Sequence, residues 1–381
     1  MSDDAFYKGR EQSQIKHFIL KRYLTIMAFR VAQSRSGHLT AINYVDGFSG
    51  PWQTQDDAGY EDTSFRQAMS VLREVRSELA KAHTANLPIR FIFCEKNTTR
   101  YQKLTAAVAN DSDLEIHCIP GQFEEKLKEI SKICSTGFTF SFVDPTGFKI
   151  GTAAISTFLR THRGEFLWNY MADHANRFLN RDGLEEAYGS LLADQKWVDR
   201  INDSTLSGLK NEEKILFVLR ERLKQLDCAD FILDFPVFRP RQNRVQFRLL
   251  FGTRHPAGVS VFRDAQKKAE QFQASKREEI RQEATGPSLI TPEMHTESFL
   301  GKVGIDGTLA KSAAIDRISA FLLGSGTIRY ADLVAPIIET ERLTATGLKS
   351  VLVQMRKAGI IKFDLPPRKR VPQDDTDVSL S

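Results

Sequence analysis

Apolar residues recur at helical spacing from Gln14 to Ala32, with Ile15, Phe18, Ile19, Tyr23, Leu24, Met27 and Val31 on one face. Lys16, His17, Lys21 and Arg22 fall on or beside the other face, which reads as a solvated basic surface. The pattern then changes. Thr40 to Val45 is a short apolar run that predicts a buried strand, and the small-residue turn Asp46-Gly47-Phe48-Ser49-Gly50-Pro51-Trp52 leads out of it. After a polar loop, Gln53 to Asp62, helix and strand patterns alternate. Helices are predicted at Ser64–His83, Asn97–Ala109, Glu124–Cys134 and Ala153–Arg160, and strands at Ile89–Cys94, Leu114–Ile119, Phe138–Val143 and Glu165–Tyr170. An interrupted helical stretch, Arg181–Ile201, and a helix, Glu212–Leu226, follow. Strands Phe231–Val237 and Gln246–Thr253 are then joined by a basic turn, Arg239 to Arg244. Such alternation implies a mostly parallel sheet with helices on both faces, and the final hairpin gives it an antiparallel edge. Ligands of such sheets lie beyond the carboxyl ends of the strands, where Asp46, Glu95, Gly121 and Asp144 all fall.

Val261 to Glu283 reads as a charged helix with a solvated face, and Gly286 to Gly307, with Pro287 and Pro292, as a linker. Helices Ala310–Leu323, Tyr330–Ile338 and Thr344–Ala358, a short strand Ile360–Phe363 and the basic Pro366-Pro367-Arg368-Lys369-Arg370 follow in the order of a winged helix. The expected architecture is an α/β Rossmann-like domain over 1–284, a linker over 285–307, a winged-helix-like domain over 308–372 and a disordered tail over 373–381.

Composition changes this picture little. With 53 Lys and Arg against 48 Asp and Glu the chain is only mildly basic, so a nucleic-acid partner must be argued from local clusters. Lys349 and Arg356, turned outward on the last helix if Leu348, Val351, Leu352 and Met355 face the core, form such a cluster with Arg368, Lys369 and Arg370. The competing reading of this domain is protein recognition, with Glu339 and Glu341 close by. Cys94, Cys118, Cys134 and Cys228 form no Cys-x-x-Cys pair and suit buried thiols in a reducing cytoplasm. No apolar run spans a bilayer, no apolar signal region opens the chain, and no metal-ligand spacing occurs.

The glycine turn lacks the Gly-x-Gly-x-x-Gly of a dinucleotide fold. It is similar to the first motif of S-adenosylmethionine (SAM) methyltransferases of the Asp-x-Phe-x-Gly type. Glu95, at the tip of the second strand, stands where a carboxylate takes ribose hydroxyls; Gln122 and Phe123 could meet adenine or simply form a polar turn. Asp144-Pro145-Thr146-Gly147-Phe148 is the candidate catalytic motif. Transfer to an exocyclic amine needs an acceptor for the amine hydrogens and a fixed approach. The motif resembles the Asp-Pro-Pro-Tyr of amino-methyltransferases, which implies that Asp144 and the Pro145 carbonyl supply these, with Thr146 for the second proline and the aromatic one place on, at Phe148. No Pro-Cys dipeptide exists, which argues against thiolate chemistry on cytosine C5. Asn169, Tyr170, Asp173, His174 and Arg177, after the fifth strand, either line the acceptor pocket or are helix-start polar residues.

Lys16 with Tyr23-Leu24, Tyr44 to Pro51, Phe91 to Glu95, Val143 to Gly147 and Leu250 to Thr253 together resemble the three-Cys-motif partner family of bacterial proteins. The resemblance implies a class I SAM methyltransferase fold, with Lys16, Asp46, Gly47, Phe48, Gly50, Glu95 and Gln122 at the cofactor and a separate three-Cys-motif protein as partner. Three positions depart from it: Trp52 for the last glycine of Gly-Pro-Gly, Thr63-Ser64-Phe65 for Gly-Ser-Pro, and Thr146 for phenylalanine. The expectation is a SAM-dependent enzyme acting on an amino group of a nucleic-acid base. The rival is a non-catalytic nucleic-acid-binding or scaffold protein that keeps the fold for its partner. The three departures favour the rival; Asp46, Glu95 and Asp144 favour the enzyme.

Overall fold

The computed structural model describes residues 7–33, 41–50, 54–56, 59–82, 87–145, 147, 150–173, 184–286 and 300–381. Pro51, Trp52, Thr146, Phe148, His174, Arg177, Pro287 and Pro292 lie outside the described residues. The chain divides into two compact units, 1–254 and 255–381.

The first unit runs α1 (Glu11–Gln33), β1 (Ile42–Asp46), α2 (Ser64–Lys81), β2 (Ile89–Glu95), α3 (Thr98–Val108), β3 (Glu115–Pro120), α4 (Phe123–Ile133), β4 (Phe138–Val143), α5 (Thr152–His162) and β5 (Glu165–Tyr170). It continues with α6 (Glu185–Leu192), α7 (Trp197–Ile201), α8 (Asn211–Gln225), β6 (Phe231–Phe238) and β7 (Val245–Thr253). Among the described residues the strands form one seven-stranded sheet in the order β3-β2-β1-β4-β5-β7-β6. β1 pairs parallel with β2 and β4, β2 with β3, and β4 with β5; β7 runs antiparallel between β5 and β6. The β6–β7 hairpin thus gives the sheet the antiparallel edge expected from sequence, with β7 next to β5 and β6 outermost. The Rossmann-like α/β class is as expected.

Period-two alternation divides the core. Tyr44, Phe91, Phe93 and Phe140 meet on one face, where Tyr23 of α1 lies against Phe140 and Phe251, and Phe65 of α2 against Phe93. Val45, Ile92, Cys94, Val143 and Trp168 join Leu127 and Ile130 of α4, Ile155 of α5 and Leu219 of α8 in the other apolar layer. Because β1 to β5 are parallel, Asp46, Glu95, Pro120, Val143 and Tyr170 all close their strands at one end of the sheet.

The second unit holds α9 (Pro256–Thr285), α10 (Thr308–Ser325), β8 (Ile328–Arg329), α11 (Tyr330–Thr340), α12 (Ala345–Lys357), β9 (Ile361–Lys362) and β10 (Asp377–Leu380). Two boundaries read from sequence are corrected. The long helix belongs here rather than to the first unit: Arg263 is 4% exposed and caps the end of α11, its Nε donating to the Ile338 carbonyl at 3.1 Å. The last residues of the expected linker are packed as well, since Ile305 N donates to Glu270 (2.7 Å) and Asp306 binds Lys267 and the Thr344 backbone and hydroxyl, each at 2.8 Å. The second correction is the tail. Asp377–Leu380 is the central strand of a β8-β10-β9 sheet, with Val378 fully buried. Its Asp-Val-Ser-Leu alternation is the half-buried strand signature hidden in a polar terminus.

Candidate functional site

The turn after β1 is tied down on both sides by main-chain bonds. Gly47 N donates to the Phe142 carbonyl (3.2 Å) on β4, and Ser49 N to the Cys94 carbonyl (3.0 Å) on β2. Asp46 secures it from within. Its Oδ1 accepts from Phe48 N at 3.0 Å, its Oδ2 from the Ser64 hydroxyl at 2.8 Å, and its own carbonyl from the Ser49 hydroxyl at 2.7 Å. Burial pushes the Asp46 carboxyl up to about 6 against those hydrogen bonds, with the charge of Asp144 adding to the rise. Asp46 is fully buried and frames the turn rather than facing a ligand.

Two glycines are required by close approach. A Cβ on Gly47 would lie 2.7 Å from the Phe123 ring, and one on Gly50 would lie 2.0 Å from Glu95 Oε2. Glu95 is 6% exposed and accepts from Gly50 N at 3.0 Å and from Asn97 N at 2.7 Å. It lines a cavity of about 240 Å³ with Gly47, Phe48, Gly50, Gln122 and Phe123. Gln122 caps α4 without a side-chain capping bond, so its amide stays available to that cavity.

A second cavity, of about 320 Å³, is lined by Lys16, His17, Asp62, Asp144 and Asn169 among others, and shares Phe48, Gly50 and Pro145 with the first. Here the sequence-derived residues are brought together in an unexpected way. Lys16 Nζ forms an ion pair with Asp144 Oδ2, and Asn169 Nδ2 donates to Asp144 Oδ1 at 2.6 Å. Lys16 also lies 6.0 Å from the Phe247 ring centroid. The carboxylate expected to receive an amine is thus already held at both oxygens.

His17 is not on a solvated face. It is 4% exposed, contacts the Tyr7 hydroxyl through Nδ1 at 2.8 Å and lines the larger cavity. Burial, aided by Lys16, Arg10 and Lys21, holds its imidazole well below the usual range, so it is neutral at pH 7. Asp62, unmarked by any sequence motif, is fully buried; Arg10 and Gln55 N bind its Oδ2, while Oδ1 has no partner. The nearest sequence signal is the capping residue beside it, Thr63, whose hydroxyl accepts from Arg66 N at the start of α2. Phe65, one of the three departures, is buried against Phe93 and lines neither cavity. Asp173 is bound by Arg239 and Arg244 of the β6–β7 turn, which makes the basic turn a clamp on the segment after β5.

In the second unit, Lys349 is half-buried with its ammonium 4.9 Å from the Tyr330 ring centroid, and Arg356 lies 4.8 Å from that of Phe363. Arg368, Lys369 and Arg370 are exposed in the segment joining β9 to β10. Burial pushes the thiols of Cys94 and Cys134 up to about 12, as expected of inert core cysteines. Among the described residues no acidic, histidine or cysteine cluster could hold a metal, and no helix is long and apolar enough to cross a membrane.

No family model matches the chain, and no curated protein matches it. Among solved structures it is similar to a protein assigned as a caffeoyl-CoA O-methyltransferase from Staphylococcus aureus, at 9% identity over 60% of this chain and 82% of that one, with a TM-score of 0.28. It is also similar to a loganic acid methyltransferase with SAH, at 12% identity over 78% of this chain and 89% of that one, with a TM-score of 0.32. Likeness at this level carries no inference of function.

Proposed function

We propose that the first unit is a SAM-dependent methyltransferase acting on an amino group of a nucleic-acid base. The observation that carries the reading is the meeting of the two cavities at Phe48, Gly50 and Pro145, so that one elongated ligand can run from Glu95 to Asp144 across the glycine turn. The residues present fit that cofactor. Glu95 offers a carboxylate for ribose hydroxyls, Gln122 and Phe123 border the adenine end, and Gly47 and Gly50 leave the backbone bare where a Cβ would collide. Arg10 and the unpartnered Asp62 Oδ1 offer polar contacts for an amino-acid end. When bound, SAM supplies an electrophilic methyl group. The chain's part is to hold the acceptor in line and to give its N–H groups somewhere to bond, which is work of positioning.

Two features extend the reading to a macromolecular partner. A winged-helix-like reading of the second unit is supported by the order of α10 to β10 after the long α9, and the unit carries Lys349 and Arg356 on α12 with Arg368, Lys369 and Arg370 beyond β9. DNA or RNA is the partner this chemistry suits, in a cytoplasmic setting. A three-Cys-motif protein is a second candidate, supported by the motif resemblance alone. A non-catalytic role is favoured by one observation, the capping of Asp144 by Lys16 and Asn169.

Calorimetric titration of the full chain with SAM tests the enzyme reading. Binding is expected for the wild type and is lost in Glu95→Ala, whose fold persists because a strand-end carboxylate holds no core. A well-folded wild type that takes up no SAM at millimolar concentration would leave the scaffold reading standing.

A further inference from the structure

We infer that Asn169, with Asp144 acting through it, presents the hydrogen-bond acceptor that receives an amine in the larger cavity. The inference rests on the methyltransferase reading and reassigns one role within it. Asp144 Oδ2 is taken by the Lys16 ammonium, and Oδ1 accepts from Asn169 Nδ2 at 2.6 Å. An ionised carboxylate only accepts, so it can bind the Asn169 amide solely through its NH₂ group. That bond fixes which way the amide points. The other contact of Nδ2, to Met171 Sδ at 3.6 Å, lies on the same donor side.

Asn169 Oδ1 is left as an acceptor with a fixed direction and nothing to bind. The side chain is 5% exposed, and Oδ1 has no hydrogen-bond partner in the structure. Leaving a buried carbonyl unpaired is unfavourable, so the site is incomplete until an N–H or O–H arrives. Asn169 lines the larger cavity together with Phe48, Gly50 and Pro145, the residues that cavity shares with the smaller one. Lys16 and Asp144 neutralise each other there, so an amide oxygen, rather than a free carboxylate, meets the incoming group. An amine N–H, neutral or charged, suits an amide oxygen, and no proton changes hands at Asn169. Asp144 is therefore a positioning residue.

Sinefungin and S-adenosylhomocysteine separate these roles, because sinefungin carries an amine at the position of the transferable methyl group and the other ligand carries nothing there. Titration of the full chain should give tighter binding of sinefungin by about tenfold or more, the scale of one hydrogen bond to a charged donor. Asn169→Leu and the milder Asn169→Ala should abolish that preference while S-adenosylhomocysteine binds within about twofold of wild type. If both variants keep the preference, or if both lose S-adenosylhomocysteine as well, Asn169 has no selective role and the inference falls alone. If the wild type binds neither ligand, the methyltransferase reading falls with it.

Discussion

The contact between Gly50 and Glu95 gives the most demanding test of the site. A methyl group on Gly50 would stand 2.0 Å from Glu95 Oε2 and 2.5 Å from its Cδ. The glutamate cannot simply rotate away without loss, since it is 6% exposed and Asn97 N holds its Oε1 at 2.7 Å. Gly50→Ala therefore sacrifices the Gly50 N–H bond to the carboxylate, a charge-assisted bond worth about 1.5–3 kcal/mol. For a unit of this size that corresponds to a fall in melting temperature of roughly 3–12 °C. Trp52, Trp168 and Trp197 all lie in the first unit, so tryptophan fluorescence during urea unfolding of the full chain reports that unit. In a Glu95→Ala background the added methyl has no carboxylate to meet. The double variant should then be more stable than the sum of the single changes predicts, by about 1 kcal/mol or more. Gly208→Ala, with nothing within 4 Å of the new methyl, serves as the control and should lie within about 0.5 kcal/mol of wild type. Additivity of Gly50→Ala and Glu95→Ala within about 0.5 kcal/mol would refute the close approach, and with it the cradle on which cofactor binding is argued.

Other outcomes follow from single groups. Burial pushes the Glu165 carboxyl up to about 7 despite hydrogen bonds from Tyr23 (2.6 Å) and Thr253 (2.8 Å). The folded state thus keeps a proton that the unfolded chain has lost, so stability falls as pH rises from about 4.5 to about 7 and levels off above, a loss on the order of 3 kcal/mol. Glu165→Gln should flatten that decline in urea titrations run across the window, and an unchanged slope would assign it elsewhere. Tyr44 is fully buried with no partner for its hydroxyl, so Tyr44→Phe should leave stability unchanged or raise it by up to about 1–3 kcal/mol; a clear loss would mean the hydroxyl is bonded. Reversing Arg368, Lys369 and Arg370 to glutamate should weaken DNA or RNA binding and cut the slope of log affinity against log salt by roughly 2–3. Equal binding across a salt series would turn the second unit towards protein recognition.

The framework of the fold was legible because its signals are local. β4 and β5 begin and end where their apolar runs do, at Phe138–Val143 and Glu165–Tyr170, and the carboxyl-end positions of Asp46, Glu95 and Asp144 follow directly. What escaped depends on contacts between distant segments. The charges of α9 looked like a solvated face, yet Arg263 is buried as the cap of another helix. His17 lies between the half-buried Lys16 and Phe18 on α1 but turns into the cavity. The pairing of Lys16 with Asp144 spans 128 positions, and no spacing rule could give it. Asn169 was visible only as one of several polar residues after a strand. Its distinguishing property, an amide fixed by Asp144 with its oxygen unmet, exists only once the strands are side by side.

That contrast between met and unmet groups bears on enzyme against scaffold. The turn after β1 satisfies itself: Asp46, Ser49, Ser64, Gly47 N and Ser49 N all find partners within the protein. Its hydrogen bonds are made within the protein, as a preorganised site requires. The larger cavity is different, for two of its buried acceptors, Asp62 Oδ1 and Asn169 Oδ1, have none. A fold kept only as a platform gains nothing from such oxygens, and a leucine at 169 would relieve one of them. They make sense where a ligand brings the donors. Substitutions that remove either oxygen should therefore cost affinity for a ligand that brings a donor, as Asn169→Leu does for sinefungin, whereas a platform has no such affinity to lose.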